Sequence, residues 1–352
     1  MGREKIHQQY QVWISLLNIL ACIAVVTMHC NGSAFWNYAD NWNWKLAVIV
    51  GAMADWAVPV FFMISGANLI NYISHYSTKI YVKKRVMKTL VPFLLWSVIP
   101  LIYYFARGKY GTQPFTISWI LDMVFNTKIN ETYWFFIPLF SIYTCIPVLS
   151  FIDKAKQRDV FCYLALVGGV TIFFLPLFSQ MVLKIPYNNF FRMPMAGGFL
   201  IYAILGYLLK TEPLSYKSRL VIYALGITGF LIQSFGTIYL SVMHDSLRRD
   251  FQEGLGIPVL FESMAIFILF KYEINCWIKR PRLVAIVSKL SSYSFGVYLL
   301  HLWIIRKLPQ HIGDFGNKEW PWIFSAVIFT YIISLCLTWI IKKIPGLRAI
   351  IP

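Results

Sequence analysis

Apolar runs of membrane-crossing length alternate along the chain with short polar connections. A helix crosses the hydrocarbon core with about 20 apolar residues, or about 17 at the short end. By that measure the runs 10–31, 46–72, 90–106, 132–152, 160–181, 194–210, 219–242, 255–273, 284–305 and 321–341 each predict a span. The pattern therefore predicts an all-α, polytopic integral membrane protein with about ten transmembrane helices. The second run is long enough to tilt or to continue into the interface. The sixth is short, and its Gly197-Gly198 pair predicts close helix packing. No linker, solenoid repeat or low-complexity segment divides the runs, so residues 1–352 read as one membrane domain.

Composition strengthens this picture. Charged residues make up 13% of the chain and hydrophobic residues 58%, whereas soluble domains carry about 25% charged residues. The net charge of +17 comes from 32 Lys and Arg against 15 Asp and Glu. These cations cluster in the connections, which favours membrane orientation over nucleic-acid binding. With both termini in the cytoplasm, the inner segments hold 21 Lys and Arg and the outer loops 11. The first run is longer than a signal-peptide core and lacks an evident cleavage site, so it is expected to stay as an anchor. The six cysteines are scattered without metal-site spacing and read as small buried residues.

Ionisable side chains inside spans are costly and so are functional candidates. They are His29, Asp55, Glu262 and His301. The topology puts His29 and His301 near the outer ends of their helices, at similar depth, where both could line one cavity. A neutral imidazole suits proton abstraction from a hydroxyl, and an interfacial hydrogen-bonding role fits either residue as well. Asp55 precedes Trp56-Ala57-Val58-Pro59, where span 2 is expected to bend; its carboxylate could orient an imidazole or pair with an arginine. Glu262 has no neighbouring motif. Between residues 79 and 88 five cations interleave with apolar residues, as in a helix lying in the interface. Arg85 and Lys88 share one face there and could clamp phosphates or simply anchor the inner surface. Pro92 follows at the expected start of the next span, where a missing N–H costs little. Walker, GxSxG and HExxH motifs are absent.

Several segments together resemble the membrane-bound acyltransferase-3 family. Residues 16–29, LLNILACIAVVTMH, look like its first-helix signature, in which a basic residue precedes an essential histidine by eleven positions. Phe61-Phe62-Met63-Ile64-Ser65-Gly66 resembles its FFxxSG element. Tyr81 to Pro92 is similar to an aromatic-xxx-Arg-xx-Arg-xxx-Pro segment, with Lys88 at the second Arg. Tyr133-Trp134-Phe135-Phe136, Gly206-Tyr207 and Ser294-Phe295-Gly296-Val297-Tyr298-Leu299-Leu300-His301 match later elements in order. Position 18 carries Asn in place of the basic residue, and position 133 carries Tyr where a histidine is frequent. Eleven residues make three helical turns, about 16 Å of rise, so Asn18 faces the same groove as His29. Another cation, such as Arg192 or Arg306, could supply the missing charge.

The resemblance implies an acyltransferase taking acyl-CoA, with acetyl-CoA the expected donor, from inside the cell and acylating a hydroxyl outside. His29 and Asn18 would carry the chemistry, and Arg85 and Lys88 would hold the donor phosphates. His301, Asp55, Glu262, Tyr298 and Ser65 are further intramembrane candidates. The expected setting is the plasma membrane, crossed many times. The expected partners are the bilayer, acyl-CoA and a glycan or envelope-polymer acceptor, with O-acetylation the reaction and no metal or bound cofactor. The alternatives are a transporter or flippase of a lipid-linked or acylated precursor, and a family member without catalysis.

Overall fold

Apolar side chains cover much of the helical perimeter, including Ile99, Ile102, Ile227, Phe235, Phe324 and Ile332. Such a surface suits lipid rather than water. The computed structural model describes residues 2–112, 115–191, 193–276, 280–312 and 320–352, with side chains from residue 12 onward except 181, 309–312 and 320. It is all-α, 79% helical, with no strand among the described residues. In lipid a helix satisfies its own backbone groups, which is why such runs become helices.

The chain begins with α1 (Gly2–Trp36), then α2 (Trp42–Ala52) and α3 (Ala57–Leu69), the last two forming one long segment. Next come α4 (Thr78–Arg85), α5 (Val91–Ala106), α6 (Ile117–Phe125), α7 (Phe136–Ser150), α8 (Lys154–Gly168) and α9 (Leu175–Phe178). The short α10 (Leu200–Thr211) precedes α11 (Tyr216–Leu231), α12 (Thr237–Met243) and α13 (Ile257–Leu269). The last three are α14 (Pro281–Ser291), α15 (Ser294–Ile312) and α16 (Trp320–Lys343).

Seven helical segments among the described residues are long and apolar enough to cross a membrane, and the bent α14–α15 pair could make an eighth. Two expected spans fall outside that set. Helix α10 has only 12 residues. The segment from α13 through the π-turn Phe270–Ile274 carries Glu262, Lys271 and Glu273 along its length. Lys271 is nevertheless buried, donating its ammonium hydrogens to the carbonyls of Leu209 (2.7 Å) and Glu212 (3.0 Å).

Two details of the expected packing change. Gly197 and Gly198 lie in the turn before α10, where Gly198 adopts φ +56° with open space around it, so they do not bring helices together. The close approach is made by Gly66 of α3 and Gly206 of α10. A Cβ on Gly66 would lie 1.9 Å from the Ala203 carbonyl oxygen, and one on Gly206 would lie 2.1 Å from that of Met63. Only a missing side chain allows such backbone contact. Pro92 does not open a separate span. Helices α4 and α5 run continuously through a π-turn at Val86–Leu90, with the Val91 N–H reaching back to the Val86 carbonyl. The wider turn accommodates the proline ring that would clash in a regular helix.

The cysteines divide. Cys22 and Cys30 are buried and Cys145 is half-buried, but Cys162, Cys276 and Cys336 are exposed. An apolar run is not a buried one when lipid is the solvent. The exposed residues occupy the outer surface of the bundle instead of its core.

Candidate active site

Three neighbouring elements frame the site around His29. Helix α1 carries His29, and its polar residues are pinned to the α14–α15 break. That break bends the pair by 50° at Ser292–Tyr293 and frees backbone carbonyls from helical bonding. Side chains from elsewhere satisfy them. Asn18 Nδ2 donates to the Ser291 carbonyl (3.2 Å) and to Ser291 Oγ (3.0 Å). Lys342 Nζ donates to the Ser292 carbonyl (2.8 Å), while Cys22 Sγ lies 3.4 Å from the carbonyl of Ser294, the first residue of α15. Inside a membrane each such group needs a partner.

The third element is the 3₁₀ turn Glu131–Phe135, opened by Asn130, whose Oδ1 accepts from the Thr132 N–H (3.1 Å) and hydroxyl (2.8 Å). It is fastened to α15 by two crossed bonds. Tyr298 Oη donates to the Thr132 carbonyl (2.5 Å), and Tyr133 Oη donates to the Leu299 carbonyl (3.2 Å). Phe135 and Phe136 pack their rings against Tyr298. The tyrosine at 133 therefore ties the aromatic motif to the helix that carries His301.

His29 and His301 meet, with ring centroids 5.1 Å apart and planes inclined by 42°. His301 is fully buried, and its Nδ1 lies 2.6 Å from the Tyr298 carbonyl oxygen. A carbonyl only accepts, so Nδ1 carries the hydrogen and Nε2 is left as a lone-pair acceptor. Nε2 is buried and has no hydrogen-bond partner. Arg306, exposed further along α15, is an electrostatic neighbour of His29 and pairs with Glu131 at 3.6 Å. Arg192 lies outside the described residues.

The other candidates separate into distinct places. Arg85 is half-buried, its guanidinium 5.3 Å from the Tyr143 ring centre and 5.9 Å from that of Tyr81, with Nε buried and unpartnered. Tyr81 is held by a bond to the Tyr143 carbonyl (3.0 Å) and by stacking on Tyr72 at 4.3 Å. Lys88 is exposed on the same segment. Ser65 donates to the Phe61 carbonyl within its own helix (2.9 Å). Asp55 occupies the turn between α2 and α3, with Arg249 and Glu262 as its charged neighbours. Glu262 is buried and accepts from Gln233 Nε2 at 2.7 Å. Arg249 rests over the Trp36 ring at 4.6 Å. Sequence reasoning missed Lys342, Arg249 and Ser291. Their partners lie far away in the chain, and no local pattern marks them.

Fold and site together define a helical membrane protein with a histidine pair and a separate basic, aromatic-lined segment. The chain belongs to the acyltransferase-3 family: the family model described as an acyltransferase domain matches residues 11–339. No curated protein and no solved structure matches the chain.

Proposed function

We propose that this protein transfers an acetyl group from acetyl-CoA to a hydroxyl of an exported glycan or other envelope polymer across the plasma membrane. In this reading the chain crosses the bilayer ten times, with both termini in the cytoplasm. The 21-to-11 distribution of Lys and Arg supports that orientation. Arg85 and Lys88 then face the cytoplasm, where the donor is made, and His29 lies toward the outer side.

The observation that carries the reading is the His29–His301 pair. Nε2 of His301, with its hydrogen on the opposite nitrogen and no partner of its own, is the acceptor that His29 engages with one ring nitrogen when it turns toward it during the reaction. The other His29 nitrogen then presents a lone pair to the acceptor hydroxyl. As that oxygen attacks the thioester carbonyl carbon, His29 takes its proton. The carbon–sulfur bond breaks, and the imidazolium returns the proton to the leaving thiolate. His29 is the catalytic base and His301 its positioning residue. Arg85 holds donor phosphates with a guanidinium oriented by Tyr143 and Tyr81.

The test uses proteoliposomes loaded with acetyl-labelled acetyl-CoA and an external glycan acceptor. Label should appear as an ester on the glycan and should vanish in His29→Ala. Full turnover by His29→Ala would overturn the mechanism. Movement of an acylated precursor across the bilayer without ester formation would favour a flippase instead.

A further inference from the structure

Beyond the residues that match the family, the segment 344–352 folds back against the bundle instead of trailing away from it. After α16 the chain turns at Gly346 (φ +87°) and forms a short 3₁₀ turn, Leu347–Ala349. Trp96 of α5 donates its indole N–H to the Ile350 carbonyl at 3.0 Å. Ile351 is fully buried and packs on Gly296 of α15, where an added Cβ would meet its Cγ2 at 2.7 Å. These contacts tie the segment to two helices at once. A loose tail would not bury an isoleucine in the principal core.

This docking has an electrostatic consequence. It sets the segment bearing Arg348 against the start of α15, where Ile351 meets Gly296 and Lys342 reaches the Ser292 carbonyl. It also sets that segment against the α4–α5 helix that carries Lys88 and Trp96, so that Arg348 and Lys88 are both charge neighbours of Lys342. Lys342 is fixed by the Ser292 carbonyl (2.8 Å) and lies 5.3 Å from the Tyr293 ring centre. Among the described residues, none of Lys88, Lys342, Arg348 and Arg85 has a carboxylate within ion-pairing distance. Three cations drawn together from α16, the folded-back segment and the α4–α5 junction repel one another. An anion bearing several charges relieves that repulsion, and phosphate oxygens match these donors.

We propose that Lys342 and Arg348, with Lys88, bind the phosphates of the nucleotide thioester, so that segment 344–352 forms a wall of the donor site. This rests on the donor reading given above and extends it to residues outside the family-matched region. The same phosphate chemistry is offered by an anionic lipid headgroup, so the test separates the two.

The full-length protein is placed in nanodiscs of neutral phosphatidylcholine and titrated with CoA itself. The double variant Lys342→Gln/Arg348→Gln should bind CoA at least ~10-fold more weakly, the loss expected for about one charge-assisted hydrogen bond. Because Lys342 also satisfies a backbone carbonyl, Arg348→Gln alone is measured as well. Arg348 is exposed, and this variant should weaken CoA binding ~3-fold or more without lowering the thermal midpoint. If Arg85→Gln weakens binding but both tail variants leave it unchanged, the proposal fails while the donor reading stands. If the unaltered protein shows no saturable CoA binding, the donor reading fails too. If the tail variants instead lose retention of phosphatidylglycerol and keep their CoA affinity, the site belongs to lipid and the proposal is overturned.

Discussion

The imidazoles of His29 and His301 lie 5.1 Å apart, and the second is locked as an acceptor because its other nitrogen donates to the Tyr298 carbonyl. This asymmetry assigns different tasks to two chemically identical side chains. Replacing His29 with Ala should lower turnover by ~10²–10⁴-fold, the range of general acid–base catalysis. His301→Gln should lose less, because an amide can still accept a hydrogen bond from His29. The check is acyl transfer in proteoliposomes, with the amount of folded protein measured by gel filtration.

The hydroxyl of Tyr298 reaches across to the Thr132 carbonyl. Tyr298→Phe should cost about 1 kcal/mol of stability through that bond alone. It should also slow turnover, since the α15 turn bearing His301 loses its tether. Tyr133→Phe tests the second crossed bond in the same way. Thermal unfolding in detergent, compared with turnover, separates the two effects.

Arg85 is positioned by ring faces and not by a carboxylate. Arg85→Gln should raise the KM for acyl-CoA ~10-fold with little change in kcat, as expected when ground-state and transition-state binding fall together. Arg85→Lys should not restore it, because an ammonium lacks the planar fork that stacks between tyrosines. Donor titration at saturating acceptor measures both constants.

Gly66 and Gly206 let α3 and α10 touch backbone to backbone. Gly66→Ala should destabilise the protein by about 3 kcal/mol or more, since the obstacle is a carbonyl and not a mobile side chain. Gly169, where an added Cβ meets nothing within 4 Å, is the control: Gly169→Ala should be tolerated. Yield and thermal midpoint of the two variants provide the comparison.

Asn18 binds the carbonyl and hydroxyl of Ser291 at the helix break. Asn18→Ala should lose about 1–3 kcal/mol of stability, while the folded fraction keeps turnover within ~10-fold of the parent. A loss on the scale of His29→Ala, with stability intact, would make Asn18 a participant in the chemistry. Turnover per folded molecule is the deciding measurement.

Much of this protein was legible along the chain. The apolar runs mark the helices because, in lipid, backbone satisfaction leaves helix formation as the available solution for each run. The histidines, the basic segment and the ordered motifs could be located by local pattern and helical pitch. Interactions between distant segments could not. Asn18 reads as the site of a missing charge, yet its amide is engaged by Ser291. The Gly197-Gly198 pair reads as a packing surface, yet Gly206 makes the close approach and Gly198 serves a turn. Lys342 and Arg348 read as a tail charge, yet Lys342 on α16 reaches the Ser292 carbonyl and a buried Ile351 holds the segment of Arg348 against the bundle. The sequence by itself determined the all-α membrane character, because hydropathy acts on each run independently of its neighbours. Only the tertiary structure decided which polar groups meet, because those contacts depend on how a broken helix exposes its carbonyls and which remote side chains reach them.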